Sequence, residues 1–443
     1  MIRNNSNFIS TTLGELVDFQ GGNGFPSELQ GKKNGDYPFF KVDDMNTQGN
    51  EKYLITAANY VNSDLVSSRS WRIVPADSIV FAKVGAAMTH NRRRILSQDS
   101  LIDNNMMAAT TKGEVSVEWL YWWMLSLDLN RILNPGPIPS INQSQMAEIE
   151  LYMPASNTER DNIASHLQSV ESLASNQYIL VQKLKMMRTG ILNDLLTFGV
   201  DENGALRSPE THDFVDSRIG PIQEGWTKTT IGGLVSENII EKPLDGNHGE
   251  THPKKSEFVE TGVPFLMAAD LKGGVVDCIN CNFITRTQAD SLRKGFAKDG
   301  DILISHKGTI GRVAVVETDL DYVMLTPQLT YYRVIDQSKI LPRYLYTYFQ
   351  SSEFVEQMTI TAGSGSTRAY IGIMKQLELT FRYPSIEEQE RIVERMDSIS
   401  NRIKSEIALL NKYSTIKQGL MHDLLTGKVR VPTPAPDSLE VAA

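Results

Sequence analysis

A run of hydroxyl, amide and cationic side chains in the first half of the sequence is the strongest candidate for binding chemistry. Thr89-His90-Asn91-Arg92-Arg93-Arg94 follows a strand-like run and a turn of small residues, Gly85-Ala86-Ala87. Arginine donates paired hydrogen bonds to guanine edges and to phosphate oxygens, so this cluster suits nucleic-acid binding. A charge run also occurs on ordinary solvated surfaces, and the pattern alone leaves both interpretations open.

The second half offers a comparable set of donors. Ser305-His306-Lys307-Gly308-Thr309 ends a strand-like run and Arg312 follows, while the loop Gly363 to Arg368 carries amides and hydroxyls that suit phosphate oxygens or an ordinary surface loop. Two lysines in a glycine-flanked loop suit phosphates better than bases. The predicted nucleic-acid contacts are Lys32, Lys33, Lys83, Thr89, His90, Asn91, Arg92, Arg93, Arg94, Ser305, His306, Lys307, Thr309, Arg312, Ser364, Ser366, Thr367 and Arg368.

The sequence predicts neither a catalytic site nor a metal site. Cys278 and Cys281 form a single CxxC pair, and structural zinc needs four ligands. Gly427-Lys428 lacks the upstream glycine and the Ser or Thr of a phosphate-binding loop. No Asn/Asp-Pro-Pro-Tyr/Phe word for adenine methylation is present, and acid, base and nucleophile candidates form no constellation. We expect no cofactor in this chain.

The elements that position these residues occur twice. Thr158 to Val200 matches Glu387 to Val429 at a constant offset of 229 residues without a gap. Upstream the resemblance persists at shifting offsets, as Pro38-Phe39 pairs with Pro264-Phe265 at 226 and Ile79-Val80 with Ile302-Leu303 at 223. Each half therefore holds a variable head followed by a unit of fixed length. In each head we expect an aromatic helix, Val117 to Leu129 and Pro342 to Ser351, whose rings favour the core over base stacking.

Both fixed-length units have the apolar spacing of a long helix. The seven-residue row, in chain order, is Ile163, Val170, Gln177, Leu184 and Ile191, and then Ile392, Ile399, Glu406, Tyr413 and Leu420. We expect a second row at Leu167, Leu173, Leu180 and Met187, matched by Met396, Leu409 and Ile416. Such a seam predicts that the two helices pack on each other antiparallel, the alternative being that each packs on its own head.

Two polar residues interrupt the seam near its middle. Gln177 and Glu406 occupy aligned positions in the two copies. A polar residue in a coiled-coil seam lowers stability but fixes register and orientation. We expect Gln177 and Glu406 to lie across from each other near a pseudo-twofold axis, and exposure of both side chains would refute this.

The bulk composition bounds the class of protein. The chain has 443 residues, two cysteines and a net charge of −9. The scarcity of cysteine, a first segment without an apolar signal and the absence of any run of about 20 apolar residues predict a cytoplasmic protein. The acidic total is unfavourable for a chain that binds DNA alone, so a partner is expected to supply much of the phosphate contact.

This layout resembles the specificity subunits of type I restriction–modification systems, over nearly the whole chain. The resemblance rests on the duplicated plan and on three short sequence motifs. These are Gly300-Asp301-Ile302-Leu303-Ile304-Ser305 with Lys307-Gly308-Thr309-Ile310-Gly311-Arg312, Pro384 with Glu387-Glu388-Gln389-Glu390-Arg391-Ile392-Val393, and Asp216-Ser217-Arg218-Ile219-Gly220 with Glu224-Gly225-Trp226. The first half departs from it at Asp77 to Gly85 and at Asn157-Thr158-Glu159-Arg160.

The resemblance implies an α+β fold in which two similar α/β target-recognition domains are separated by two long antiparallel α-helices. The implied domains are residues 1–156 and 226–385, with spacer helices at 157–198 and 386–427, a linker at 199–225 and a flexible tail at 428–443. Each head would read one half of an asymmetric, two-part target on double-stranded DNA. The helices would set the spacing and dock two methyltransferase subunits, through which restriction subunits join.

The resemblance also implies a non-catalytic role in phage defence. S-adenosylmethionine, and ATP with Mg²⁺, would belong to the partner subunits. The alternative from the residues is a coiled-coil scaffold or adaptor of a phage-defence complex that binds proteins without reading DNA. The acidic charge favours the scaffold slightly, whereas head loops rich in Arg, Lys, Ser and Gly disfavour it. An autonomous enzyme is the weakest hypothesis, because a site is missing.

Overall fold

The computed structural model describes residues 7–132, 139–208, 210, 212, 214–215, 222–223, 225–249, 252–363 and 369–431. The predicted contacts Ser364, Ser366, Thr367 and Arg368, and the tail from 432, lie outside the described residues. The chain divides into two compact units, Met1–Tyr178 with Ala408–Ala443, and Ile179–Ile407. Each unit combines one head with part of both long helices.

The first unit begins with the first head. Its elements in chain order are β1 (Phe8–Thr12), α1 (Leu13–Leu16), β2 (Val17–Gly21), β3 (Tyr37–Phe40), β4 (Tyr53–Leu54), β5 (Asn59–Val61), α2 (Ser63–Ser68), β6 (Ile79–Ala82), β7 (Arg94–Leu96), β8 (Leu101–Ile102), β9 (Met106–Thr111), α3 (Val117–Ser126), α4 (Gln143–Ala147), β10 (Glu150–Pro154) and the first part of α5 (Asn157–Phe198). A 3₁₀ turn, Val42–Asn46, follows β3, and a second, Ala86–His90, follows β6.

Three sheets build the first head. A five-stranded sheet has the order β2-β9-β6-β7-β4, a three-stranded sheet has the order β5-β3-β8, and β1 pairs with β10. The central strand β6 is buried along its whole length, as expected for the apolar run Ile79-Val80-Phe81-Ala82. α3 covers this sheet, begins at the capping residue Ser116, and buries Trp119 and Trp122 in the core.

The second unit contains the second head. Its elements are the last part of α5, β11 (Phe214–Val215), β12 (Ile222–Gln223), β13 (Thr227–Thr230), α6 (Ile231–Ser236), β14 (Leu244–Asp245), β15 (Val263–Leu266), β16 (Leu271–Lys272), β17 (Val275–Val276), β18 (Asn282–Ile284), α7 (Arg286–Ser291), β19 (Phe296–Ala297), β20 (Ile302–Ser305), β21 (Val313–Val315), β22 (Val323–Leu325), β23 (Leu329–Tyr332), α8 (Pro342–Phe349), α9 (Ser352–Thr361), α10 (Ile373–Gln376), β24 (Thr380–Tyr383) and the first part of α11 (Ile386–Leu425).

The second head repeats the strand order of the first. Its larger sheet, β14-β23-β20-β21-β17-β16, follows the path of β2-β9-β6-β7-β4 with one added strand. Its smaller sheet, β18-β15-β22-β19, extends the path of β5-β3-β8, and β13 pairs with β24 as β1 does with β10. The aromatic helices are core elements in both heads, as predicted, since Trp119, Tyr344 and Tyr348 are buried. The mixed α/β class with an internal repeat is confirmed.

The two long helices pack antiparallel within each unit. In the first unit Lys417 donates to Glu171 at 2.6 Å. In the second unit Arg188 donates to Ser400 Oγ at 3.0 Å. These two contacts are equivalent, because an offset of 229 residues relates Arg188 to Lys417 and Glu171 to Ser400. The repeat in the sequence is therefore also a repeat of side-chain pairing.

The predicted first row of the seam faces inward. In the first unit Ile163 and Gln177 are buried, and Val170, Tyr413 and Leu420 are half-buried. In the second unit Ile392 and Glu406 are buried, and Leu184, Ile191 and Ile399 are half-buried. Because Gln177 and Glu406 are both buried, the exposure that would have refuted their predicted pairing does not occur. The pairing itself stays a prediction.

The predicted second row is wrong beyond Leu167 in α5. Leu173, Leu180 and Met187 are 49%, 37% and 55% exposed, and Ile416 in α11 is 39% exposed. The inward row of α5 runs one residue later, where Val181 is buried and Ala174 and Arg188 are half-buried. The more apolar residues thus lie on an outer face of the helix. Packing between the two helices therefore does not explain why these positions are apolar.

An ion pair to a buried glutamate anchors the first turn of each long helix. In the second unit Arg207, which follows α5, donates to both carboxylate oxygens of Glu388, and Val200 N donates to Glu388 Oε1 at 2.9 Å. In the first unit Arg430, which follows α11, donates to both carboxylate oxygens of Glu159 at 2.5 Å. Bidentate pairing holds the segment after one helix against the start of the other.

Candidate nucleic-acid interface

The candidate contacts gather at one edge of the larger sheet in each head. β6 runs antiparallel to β9, and β9 to β2, so the end of β6 lies beside the start of β9 and the end of β2. The same holds for β20, β23 and β14 in the second head. We call this the loop edge: residues 22–24, 42–46, 83–92 and 103–105 in the first head, and 246–248, 268–270, 306–312 and 326–328 in the second.

Backbone hydrogen bonds join the main loop of this edge, residues 83–92 or 306–312, to a second loop. In the first head Gly85 N donates to Pro139 O at 2.9 Å and Ile141 N donates to Lys83 O at 3.0 Å. In the second head Gly308 N donates to Ala369 O at 3.1 Å and Ile371 N donates to His306 O at 3.0 Å. Each head therefore presents two loops as one surface, and the second of them leads into residues 133–138 or 364–368.

Arg92 and Arg312 occupy equivalent places on the loop edge. The register that pairs Val80 with Arg94 brings Arg92 to the end of β6, and the register of β20 with β21 brings Arg312 to the end of β20. The residue before each arginine has positive φ, 52° at Asn91 and 84° at Gly311. Asparagine and glycine are the residues that tolerate this conformation best. Both loops return to their strand by the same turn.

Each of these arginines is held by a neighbouring 3₁₀ turn, Val42–Asn46 in the first head and Ala268–Asp270 in the second. The Arg92 guanidinium donates to Asn46 Oδ1, and Arg312 Nη1 donates to Ala268 O at 3.0 Å. Arg94 joins the same turn, because its Nη2 donates to Met45 O at 2.9 Å. Arg312 is exposed and Arg92 half-buried, so each still presents donors to solvent. A held guanidinium loses less conformational entropy on binding than a mobile one.

Arg93 serves the interior of the first head, which corrects its assignment as a DNA contact. Arg93 is fully buried, its guanidinium donates to Leu127 O at 2.9 Å, and it lies over the Phe81 ring. Burial lowers the pKa of Arg93 to about 10, a value still high enough for the guanidinium to be charged at neutral pH. The Asn91 amide donates to Leu127 O and accepts from Leu129 N, both at 3.0 Å. Arg93 therefore offers no donor to a duplex, whereas Asn91 is half-buried and its assignment as a DNA contact stays a prediction.

The other predicted contacts of the first head lie near its surface. Thr89 and His90 are exposed, and Lys83 is half-buried. His90 and Arg92 line a cavity of about 210 Å³ beside the turn that carries Asn46.

Lys32 and Lys33 are also exposed. Lys33 lines a cleft of about 460 Å³ together with Lys41 and Asp43. Lys33 therefore lies close to the turn after β3.

Two of the predicted contacts in the second head are buried, and their assignment is corrected. Ser305 is fully buried, and its hydroxyl accepts from Arg312 N at 2.9 Å, which fixes the loop. His306 is also fully buried, and its Nδ1 lies 2.9 Å from Ile371 O. Lys307 and Thr309 are exposed, and Lys307 Nζ lies 6.0 Å from the centre of the Tyr370 ring. Those two, with Arg312, are the accessible candidates among the described residues of this loop.

His306 is kept neutral by its surroundings. Burial lowers its pKa, against the opposing effect of the Ile371 carbonyl. Since a carbonyl accepts, Nδ1 carries the proton, and Nε2 is buried without a partner. The imidazole therefore joins the two loops as an uncharged bridge. The first head has Lys83 at the equivalent position, so the two heads differ in charge at this point.

Asn46, which holds Arg92, is not among the residues predicted from the sequence. The available signal was its position directly after a strand that aligns between the two halves, in a polar turn, Asp43-Asp44-Met45-Asn46. A turn residue without charge gives no cationic signal, yet an asparagine amide at this place pairs well with adenine edges as well as with arginine. In the second head Arg312 is held by a backbone carbonyl, Ala268 O, so the repeat did not point to a side chain in this turn.

The described part of the chain carries no group of three or more His, Cys, Asp or Glu that could hold a metal ion. Cys278 and Cys281 are not in a disulfide. Burial raises the pKa of Cys281 to about 12, so its thiol stays protonated at neutral pH. Within these same residues no helix is long and apolar enough to cross a membrane.

Comparison with known proteins gives a consistent result. The model of the type I restriction modification DNA specificity domain matches residues 5–183 and 224–412, once in each half. The MjaVIII specificity subunit of Methanocaldococcus jannaschii is 24% identical over 345 residues, which are 76% of this chain and 76% of that protein. The EcoBI specificity subunit of Escherichia coli is 23% identical over 259 residues, 55% of this chain and 51% of that protein.

Solved structures show the same fold. The S subunit of a type I restriction–modification system from M. genitalium superimposes with a TM-score of 0.54 at 15% identity, over 96% of this chain and 98% of that one. A chain from a study of complex assembly and conformational transition of the type I R-M system gives 0.57 at 13% identity, over 96% and 98%. Together with the double match of the domain model, the repeated heads and the paired helices, this places the chain in the family of type I restriction–modification specificity subunits.

Proposed function

We propose that this chain recognises DNA for a type I restriction–modification complex, each head reading one half of an asymmetric two-part target. The observation that carries the proposal is the repeated loop edge, with Arg92 and Arg312 at equivalent places. Arginine is the side chain most often used to read guanine in the major groove. Two heads of one topology would then apply the same kind of reader at two separate places on a duplex.

Differences between the two edges support two different half-sites. Arg92 is held by the side chain of Asn46, whereas Arg312 is held by the backbone of Ala268. The main loop spans residues 83–92 in one head and 306–312 in the other. Different neighbours aim a guanidinium at different positions, and a different set of nearby donors selects different bases.

The long helices support a fixed spacing between the half-sites. α5 has 42 residues and α11 has 40. At 1.5 Å per residue each extends about 60 Å, enough to separate two readers by one or more turns of DNA at about 34–36 Å each. The ion pairs of Glu159 and Glu388 fix the first turn of each helix. We infer that the helices set the spacer length of the target.

An outer face of α5 supports the docking of a methyltransferase subunit. Within the second unit Ile179, Leu180, Met186 and Met187 are 50%, 37%, 67% and 55% exposed. Seven-residue spacing relates Ile179 to Met186 and Leu180 to Met187, so the four form one apolar strip. Contiguous exposed apolar surface of this kind marks an interaction site. We infer that a partner subunit covers this strip.

The catalytic steps would then belong to the partners. We infer that this chain is non-catalytic, that S-adenosylmethionine binds the methyltransferase subunits, and that ATP with Mg²⁺ serves the restriction subunits. The net charge of −9 fits this division of work, because sequence-independent attraction to phosphates would come from basic partners. The heads would supply base recognition, which needs a few well-placed donors and no large positive field.

A methylation map of a host genome tests the proposal. The chain is co-expressed with a methyltransferase subunit of a type I system with which it assembles, and N6-methyladenine is mapped in cells with and without it. We expect a split motif that appears only with the chain. An assembled complex with an active methyltransferase but no sequence motif would refute DNA reading. That result would instead favour a scaffold of a phage-defence complex.

A further inference from the structure

A Gly-Asn pair occurs at the loop edge of both heads. Gly22-Asn23 follows β2, and Gly246-Asn247 begins at the end of β14. Each glycine presses against a neighbouring strand, because a Cβ added to Gly22 would lie 2.0 Å from Asp103 O and one added to Gly246 would lie 1.9 Å from Leu325 O. Only glycine allows this approach. The pair is a shared structural device, and the nucleic-acid contacts named above do not use it.

Each asparagine bonds to the backbone of a distant loop. Asn23 Nδ2 donates to Arg72 O at 3.1 Å, and Arg72 N donates to Asn23 Oδ1 at 3.2 Å. In the second head Asn247 Nδ2 donates to Lys294 O at 2.6 Å, and Arg293 N donates to Asn247 Oδ1 at 3.1 Å. In both heads the amide therefore holds a basic residue beside the loop edge.

The surroundings of the two held loops add rigidity and leave one arginine in each available. In the first head the neighbouring Trp71 packs edge-on against Phe39, at 5.4 Å between ring centres. In the second head Lys294 is paired with the buried Asp245. Arg72 and Arg293 are both exposed, and in the part of the chain that the structure describes neither forms an ion pair with a carboxylate.

The position of these arginines relative to the base-reading candidates indicates their ligand. β2 and β14 are the outermost strands of their sheets, two strands away from β6 and β20. Arg92 and Arg312 lie one strand further on, where β7 and β21 begin, so at about 4.8 Å per strand the Gly-Asn pair lies about 14 Å from them. The major groove is about 12 Å wide. A donor about 14 Å from a side chain in the groove lies outside the groove, beside one of the two phosphate strands that border it.

We propose that Arg72 and Arg293 each contact a DNA phosphate, with Asn23 and Asn247 as the positioning residues that hold them. The proposal rests on the proposed function and adds a second kind of contact to each head. Such contacts fix the orientation of the head on the duplex and carry no base preference. The source of the anion is the DNA backbone, since both arginines flank the edge that faces the bases.

The test uses the chain in its complex with methyltransferase subunits and a duplex that carries the methylation motif. Binding is measured between 50 and 200 mM NaCl. Each phosphate contact contributes about 0.9 to the slope of log K against log salt concentration. Arg72→Ala and Arg293→Ala should each lower the slope by about that amount, and the double variant by about twice as much. Asn23→Ala should weaken binding as Arg72→Ala does, and should add nothing to it in combination.

Matched controls lie at the opposite end of the same sheets. Lys112 follows β9 and Lys298 precedes β20, both exposed, so Lys112→Ala and Lys298→Ala should leave the slope unchanged. An unchanged slope in Arg72→Ala and Arg293→Ala, with wild-type complex preferring the motif over a scrambled duplex, would overturn the inference and leave the proposed function standing. A changed methylation motif would overturn it too, since it would make these arginines base readers. No preference in the wild type would refute the proposed function itself.

Discussion

Replacing Arg207 with alanine should destabilise the second unit far more than most single substitutions. The side chains of Arg207 and Glu388 are 14% and 6% exposed, so both charges are withdrawn from water. Without Arg207 the carboxylate would keep Val200 N as its donor, but its charge would lack a counter-ion. The variant therefore buries an uncompensated charge at the start of α11.

The expected magnitude follows from this burial. Removing one partner of a buried ion pair costs about 3–5 kcal/mol. For a unit of this size, 1 kcal/mol shifts Tm by about 2–4 °C, so we expect a fall of about 6 °C or more. The matched pair in the first unit is Arg430 with Glu159, where Arg430 is 35% exposed. Water screens that pair, and Arg430→Ala should cost only about 1–2 kcal/mol.

The assay must separate the two units, because a chain of this length does not unfold in one step. Hydrogen exchange followed by mass spectrometry on the intact chain resolves them. Amides around Val200 and at the start of α11 should lose protection in Arg207→Ala, while the first head keeps its own. In Arg430→Ala the smaller loss should occur in the first unit.

A double-mutant cycle decides whether the pair itself is responsible. Glu388→Gln removes the charge and keeps the shape, so Arg207→Ala should cost much less in that background. Equal effects of Arg207→Ala and Arg430→Ala, or a loss below about 1 kcal/mol for Arg207→Ala, would refute the reasoning that burial sets the strength of these pairs.

Three further predictions follow from single sites. Burial holds the pKa of His306 below its usual value of about 6.5, so the unfolded chain binds the proton more readily. The part of the folding free energy that depends on neutral His306 is fully present above about pH 6.5 and is lost as pH falls below it. His306→Gln should therefore reduce the difference in Tm between pH 7.5 and pH 5.5. An unchanged difference would contradict this. Gly22→Ala should cost the first unit about 3 kcal/mol by overpacking, measured by denaturant unfolding, because a Cβ there would lie 2.0 Å from a backbone oxygen. The matched change Gly24→Ala meets nothing within 4 Å, and an equal loss from both would show that packing is not the cause. Leu180→Ser combined with Met187→Ser should change the free energy of unfolding by less than about 1 kcal/mol but weaken the capture of a methyltransferase subunit. Unchanged capture would exclude the apolar strip of α5 as the docking face.

The duplicated plan was readable from the sequence because spacing survives divergence. The row that starts at Ile163 consists of buried and half-buried residues, since a seven-residue repeat lies on one side of a helix. The neighbouring row was misplaced. Leu173 and Leu180 are more apolar than Ala174, yet they face outward. Hydrophobicity alone does not distinguish a seam within the chain from a surface that a partner covers.

The same limit applies to the basic run at the loop edge. Arg92, Arg93 and Arg94 are identical in type, and from the sequence all three were predicted to contact DNA. Side chains alternate between the two faces of an extended segment, so Arg92 and Arg94 reach the 3₁₀ turn and Arg93 enters the core. Applying that alternation to the run would have separated them. Asn23 was not predictable as a positioning residue, because its partner Arg72 is distant in sequence.

An exchange of the first head measures the central claim most directly. Residues 7–154 are replaced with the corresponding head of a specificity subunit whose methylation motif has been mapped, keeping α5 and α11 intact, and N6-methyladenine is mapped again. If each head reads one half of the target, one half of the motif changes while the other half and the spacer length stay the same. A change in both halves, or in neither, from an assembled and active complex would contradict the account.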